Sequence, residues 1–183
     1  MAALETPICD FGRAGIDFTL PGVDGESRRY ADLIGEKGLL LAFICNHCPF
    51  VKAIQSRLVQ DALDLQAIGV NVVAINSNDA DAYPEDSFEN MQKEAQAHNY
   101  PFPYLYDQTQ SVAKAYGAVC TPDFFGYNAK GELQYRGRLD ASGRFKSDKA
   151  MRRDLFEAMK QVAETGKGPQ EQHVSIGCSI KWR

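Results

Sequence analysis

Gly38-Leu39-Leu40-Leu41-Ala42-Phe43-Ile44-Cys45-Asn46-His47-Cys48-Pro49-Phe50-Val51-Lys52 is the stretch on which the fold turns. Leu39 to Ile44 is a continuous apolar run bounded by Gly38. Such a run suits a strand buried on both faces, as in a parallel sheet. From Phe50 to Ile68 the apolar positions are Val51, Ile54, Leu58, Ala62, Leu65 and Ile68. Their spacing of three and four marks one face of a helix, which Gly69 stops. Val70 to Asn76 is a second buried strand. Strand, helix and strand make a βαβ unit, and the two cysteines fall where its first strand hands over to its helix.

Outward from this unit, Ile16 to Leu20 and the turn Pro21-Gly22-Val23-Asp24-Gly25 predict an N-terminal hairpin. Downstream, the pattern predicts a helix from Pro84 to about His98, a short strand at Tyr104–Tyr106 and a short helix from Ser111 to Tyr116. Asp123–Tyr127 and Glu132–Arg136, joined by the turn Asn128-Ala129-Lys130-Gly131, predict an antiparallel hairpin. A last amphipathic helix is expected from about Asp148 to Glu164. A parallel βαβ unit followed by an antiparallel hairpin is a mixed α/β arrangement. The chain is expected to form one domain over residues 1–183, with an extension at 1–15 and a tail at 166–183.

The 183 residues carry a formal net charge of −4, with 44% hydrophobic and 24% charged residues. No basic field is present to meet a phosphate backbone, so a nucleic-acid partner is not expected. Arg28-Arg29 and Arg152-Arg153 are too short to be tracts. No charged segment followed by an apolar run opens the sequence, and no apolar stretch approaches the roughly 20 residues that span a bilayer. The expectation is a cytoplasmic protein with no membrane partner. Five cysteines with one close pair do not resemble a secreted disulfide framework.

The pair is the candidate site. The first turn of a helix offers unpaired N–H groups and a partial positive charge, and both favour a thiolate over a thiol. The two-residue gap brings both sulfurs within one turn. Cys45 is read as the exposed attacking thiolate and Cys48 as its resolving partner, with a protonated His47 adding to thiolate stability. A structural zinc site needs four ligands, often as two close pairs. Here Cys9, Cys120, Cys178, His98 and His173 are single residues, so no metal and no cofactor are expected. Cys120-Thr121-Pro122, just before the hairpin, is the second candidate element. Cys120 and Cys178 are weighed as auxiliary redox thiols against inert buried cysteines, with Cys9 read as inert. Arg136 and Arg138 are strand-end charges or an anion partner.

Asp17-Phe18-Thr19-Leu20-Pro21, the apolar strand into Cys45-Asn46-His47-Cys48-Pro49, Cys120-Thr121-Pro122-Asp123-Phe124-Phe125 and Gly177-Cys178-Ser179-Ile180-Lys181-Trp182 together resemble thioredoxin-like proteins of the alkyl hydroperoxide reductase/thiol-specific antioxidant superfamily. The resemblance runs from about residue 11 to the end. It implies a thioredoxin fold with an N-terminal hairpin extension and redox-active cysteines. In that fold Pro122 is expected to be cis and to lie against the Cys-x-x-Cys turn. The backbone before it, at Thr121, would pair with an extended substrate, with Asn46 as a second substrate contact. Three departures matter. Ile44 replaces the tryptophan that usually precedes the first thioredoxin cysteine. Leu39 replaces the buried acid of the preceding strand. The peroxiredoxin Pro-x-x-x-Thr-x-x-Cys pattern has Leu41 and Cys45 at its proline and threonine when Cys48 is aligned with its peroxide-reacting cysteine.

The expected activity is thiol–disulfide exchange between Cys45/Cys48 and a protein or small-molecule disulfide, with a separate reductant to recycle the pair. One alternative is a thiol peroxidase with Cys48 or Cys45 as the peroxide-reacting residue, resolved by another of the cysteines. A third is a copper carrier using the pair with His47, His98 or His173.

Overall fold

The computed structural model describes residues 3–145 and 151–183. In chain order its elements are β1 (Ala3–Glu5), β2 (Thr19–Pro21), β3 (Ser27–Arg29), α1 (Tyr30–Leu33), β4 (Gly38–Phe43), α2 (Pro49–Ala67), β5 (Val70–Asn76), a 3-10 turn at Pro84–Asp86, α3 (Phe88–Ala97), β6 (Tyr104–Tyr106), α4 (Ser111–Tyr116), β7 (Cys120–Thr121), β8 (Asp123–Asn128), β9 (Leu133–Tyr135), α5 (Asp154–Thr165) and β10 (Ile176–Ser179).

A five-stranded sheet in the order β6-β5-β4-β8-β9 forms the centre. β4 runs parallel to β5 and antiparallel to β8. Both faces of β4 are covered, which accounts for its unbroken apolar run. Leu40 and Ala42 point to one face with Val72, Ala74 and Phe124, under Ile54, Leu58 and Leu65 of α2 and Leu155, Met159 and Val162 of α5. Leu39, Leu41 and Phe43 point to the other face, with Val73, Ile75 and Phe125 under Phe18, Tyr30 and Tyr116. Full burial of one leucine stabilises by about 2 kcal/mol, so three in a row fix this strand as a rail that ends at Cys45. Gly69 takes φ +92°, the left-handed geometry that ends α2. With helices on both faces of this mixed sheet, the architecture is that of thioredoxin.

β2 and β3 form the predicted N-terminal hairpin. The helix expected from Pro84 is interrupted. Ser87 takes an extended conformation, its hydroxyl accepts the Asn90 N–H, and α3 starts only at Phe88. The expected start of the last helix at Asp148 lies outside the described residues, and α5 begins at Asp154.

The largest difference is at the two ends. The segment read as a tail contains β10, which lies between β1 and β7 in a second, three-stranded sheet. Thr6 closes the arrangement: its N–H donates to the Ser175 carbonyl, and its hydroxyl accepts the Ser175 N–H. Short strands with few apolar residues gave no periodic signal here. Among the described residues, no helix is long and apolar enough to cross a membrane.

Candidate active site

β4 ends at Phe43, and Ile44 continues the ladder by donating its N–H to the Ile75 carbonyl. Cys45, Asn46 and His47 form a loop before α2. Cys48 is the N-cap of that helix, with Pro49 in the first helical position, where no N–H is needed. The helix therefore begins three residues later than a nucleophilic Cys45 requires. Its free N–H groups and positive end act on Cys48.

This placement shifts the two thiols in opposite directions. The Cys48 thiol is pushed down to about 5, first by the neighbouring Cys45 and then, against the opposing effect of burial, by Cys178, Thr121 and the Val51 backbone. Cys45 moves the other way, well above the ordinary thiol range. It keeps its proton toward Cys48, is buried, and feels the Asp86 carboxylate. Its sulfur lies 3.4 Å from the Thr121 hydroxyl. One contact favours a protonated Cys48: its sulfur is 3.1 Å from the Thr121 carbonyl oxygen, to which a thiol donates. The place of Cys48 at the start of α2 acts against this and favours the thiolate. Cys45 is not exposed, since it, Cys48 and Cys178 retain 2%, 0% and 4% of their accessible surface. All five cysteines are free thiols.

Asn46 is a fastener rather than a substrate contact. It is buried, its N–H donates to Asp86 Oδ1 at 2.8 Å, its amide donates to the Glu85 carbonyl, and its Oδ1 accepts the Tyr104 hydroxyl. His47 is committed to Asp86 rather than to a thiolate. Its Nδ1 lies 2.7 Å from Asp86 Oδ2, and its ring stacks on Tyr83 with 2° between the planes. The distance is that of an ion pair, while neither ring nitrogen makes a well-aligned hydrogen bond. The Asp86 contact raises the His47 pKa, against burial and the nearby Lys181 charge.

Asp86 is the site residue that sequence reasoning missed. It is fully buried and holds Asn46, Asn78 and His47 through one carboxylate. An acid at a helix start ordinarily reads as a solvated charge. Only the break at Ser87 turns it inward, and the Pro-Glu-Asp-Ser sequence is the sole local trace of that break.

Cys45, His47 and Asp86 each bring one ligand atom within 4.8 Å of the others. This mixed sulfur, nitrogen and oxygen set could hold a metal ion, although Asp86 is already bonded to Asn46 and Asn78. His47 is thus beside Cys45, while the other two histidines of the copper alternative are engaged elsewhere. His98 pairs with Glu94, and the His173 carbonyl accepts the Arg138 N–H.

The Thr121–Pro122 bond is cis, as expected. The backbone before it is not open to an extended substrate. Thr121 and Cys120 are paired with Cys178 and Ser179 of β10. Alternation along β7 puts Cys120 on the face opposite Thr121. Its sulfur meets the Pro122 carbonyl at 3.6 Å, and burial raises its pKa, so it joins neither redox sulfur. Cys178 does the reverse. It is buried in one cluster with Cys48, and burial and Cys48 push its pKa up to about 12. Cys9 is half-buried and raised to about 11 by burial.

Arg136 is structural: it is buried, pairs with Asp123 at 3.0 Å and covers the Phe125 ring. Arg138 pairs with Asp154 and borders a groove with Phe50, Ile54, Pro122 and Ile176.

The geometry agrees with what the chain is similar to. A protein from Geobacillus kaustophilus, described as an uncharacterized conserved protein, is 46% identical over 100% of this chain and 97% of its own, with a TM-score of 0.94. A hypothetical protein from Sinorhizobium meliloti 1021 is 42% identical over 98% and 97%, with a TM-score of 0.91. A secreted disulfide oxidoreductase from Mycobacterium tuberculosis, described as homologous to E. coli DsbE, is 26% identical over 64% and 80%, with a TM-score of 0.55. No curated protein matches the chain. The AhpC/TSA family model matches residues 11–136, which takes in β2 through β9 and both Cys45 and Cys48. The chain therefore belongs to the AhpC/TSA family, a thioredoxin-like group of thiol redox proteins.

Proposed function

We propose that this protein is a thiol–disulfide oxidoreductase in which Cys48 is the nucleophile and Cys45 its exchange partner. The observation that carries this reading is the position of Cys48 as N-cap of α2, where the helix start lowers its thiol while that of the neighbouring Cys45 is raised. The Cys48 thiolate attacks one sulfur of a client disulfide and forms a mixed disulfide, and the other client sulfur leaves as a thiolate. Cys45 then gives up its proton and attacks the Cys48 sulfur. The second client thiol is released, and a Cys45–Cys48 disulfide holds the two-electron oxidation. A separate dithiol must reduce it for another cycle.

A thiol peroxidase is the second reading. What favours it is the sealing of the sulfurs, which admits a small substrate more readily than a protein loop. Cys48 would take the distal peroxide oxygen as a sulfenic acid while an alcohol or water leaves. Cys45 would then form the disulfide and release water. The residues at 41 and 45 that depart from the peroxiredoxin pattern weigh against it.

One experiment tests the first reading. Cys45→Ser and Cys48→Ser are assayed separately for reduction of a small aliphatic disulfide. Loss of turnover in Cys48→Ser is expected, together with a mixed disulfide trapped on Cys48 when Cys45 and Cys178 are both replaced by serine. Full activity in Cys48→Ser overturns the assignment. Rapid consumption of hydrogen peroxide, with a trapped sulfenic acid on Cys48, selects the peroxidase instead.

A further inference from the structure

The backbone edge at Thr121 is where an extended client would add as a strand, with its cysteine delivered to Cys48. In this protein a segment of the chain itself lies there. β10 runs antiparallel to β7, and Cys178 is the residue directly opposite Thr121. Residues opposite one another share a face of the sheet, which puts Cys178 in one buried cluster with Cys48 and leaves Cys120 outside it. Two further features hold it there. Cys178 packs in one buried cluster with Cys48 and Val51 of the α2 start. Gly177 lets the strand approach: a Cβ at this position would stand 2.1 Å from the Thr121 carbonyl oxygen and 3.0 Å from the Pro122 nitrogen. The outer edge of β10 is covered in turn by β1, with Ala3 opposite Cys178.

We propose that β10 is an internal substrate and that Cys178 is the cysteine it presents, giving the protein a second disulfide state, Cys48–Cys178, besides Cys45–Cys48. This rests on Cys48 being the nucleophile. A client disulfide first places one of its thiols on Cys48. Cys178 loses its proton and attacks the Cys48 sulfur, which expels the client thiol and forms the Cys48–Cys178 bond. Cys45 then attacks Cys48, the bond moves to Cys45–Cys48, and Cys178 returns to a thiol. Both disulfide states carry the same two-electron oxidation, so no further oxidant enters. The arrangement also sets the substrate class. With the Thr121 edge filled, clients are small disulfides entering past Phe50 and Pro122, rather than proteins docking as an added strand.

The test uses the full-length reduced protein treated with a stoichiometric amount of hydroxyethyl disulfide, alkylated under non-reducing conditions and digested with trypsin. Cys45 and Cys48 share the peptide 38–52, and Cys178 lies in the peptide 168–181. In Cys45→Ser the two peptides are expected to be cross-linked. In the unaltered protein peptide 38–52 is expected to close on itself as well. The proposal is overturned if Cys45→Ser instead keeps hydroxyethylthiol on Cys48 with Cys178 alkylated. That result would leave the nucleophile assignment standing, whereas an unmodified Cys48 in every sample would remove both. Adding Gly177→Ala to Cys45→Ser pushes β10 away from Thr121. The cross-link should then vanish while Cys48 still takes up the hydroxyethylthiol. A cross-link that persists at its former yield means that the β10–β7 register does not deliver Cys178, and overturns the proposal too.

Discussion

The reversal of roles between the two close cysteines is open to a direct titration. A thiolate absorbs in the near ultraviolet and a thiol does not, so the measurement needs no reagent to enter a sealed site. Cys9, Cys45, Cys120 and Cys178 are all raised above the ordinary thiol value, and Cys48 alone is lowered, to about 5. The unaltered protein should therefore show one thiolate equivalent at pH 7, where an ordinary thiol is ionised by only a few per cent, and it should lose that equivalent with a midpoint near pH 5. In Cys48→Ser the step should be absent. In Cys45→Ala the largest donor to the thiolate is removed while Cys178, Thr121 and Val51 remain. One hydrogen bond to a charged group contributes about 1.5–3 kcal/mol, and one pKa unit corresponds to about 1.4 kcal/mol. The midpoint should rise by about one to two units, to between about 6 and 7. The reasoning is refuted if the unaltered protein shows no thiolate below pH 7, or if the step survives in Cys48→Ser and disappears in Cys45→Ala.

Three other changes probe the surroundings. Thr121→Val removes a neutral hydroxyl bond worth about 1 kcal/mol, so the Cys48 midpoint should rise by somewhat under one unit in the same titration. Asp86→Asn leaves His47 and Asn78 facing an amide, and loss of one partner of a buried ion pair costs about 3 kcal/mol. His47 has a raised pKa in the folded state. Its share of the stabilisation is therefore complete below the unfolded value of about 6.5 and is lost as pH rises through the higher folded value. Urea denaturation should show a wider gap between the unaltered protein and Asp86→Asn at about pH 5.5 than at about pH 9, and an equal gap would remove the ion pair from the account. Arg136→Ala should lower stability by about 3–5 kcal/mol by leaving Asp123 buried without its partner, yet leave the thiolate midpoint in place. A shifted midpoint would give Arg136 a part in the site.

Much of the fold was legible because one principle governs it. Leu39 to Ile44 and Val70 to Asn76 are apolar without alternation, which only a strand covered on both sides tolerates, and the three-and-four spacing after Cys48 fixes the connecting helix. The Cys45/Cys48 pair and the cis bond at Pro122 were legible from motif and position. The division of labour between the sulfurs was not, because it depends on a shift of three residues in where a helix begins. Pro49 marks that start, since it fits the first helical position better than any later one. Asp86 was hidden for another reason, and Cys178 could be weighed as an auxiliary thiol but not placed. Their surroundings come from contacts between segments distant in sequence, and neither β1 nor β10 has enough apolar residues to announce itself.

The bond between Thr6 and Ser175 joins residues 169 positions apart. Contacts of such separation wait for most of the chain to be ordered, since closing a long loop is entropically unfavourable until nearer contacts have formed. The pairings of the central sheet, β4 with β5 and with β8, join residues closer in sequence. The Cys45–Cys48 turn is therefore expected to form before its cover. Maturation of the site ends with the closing of a clasp rather than with the making of the catalytic turn.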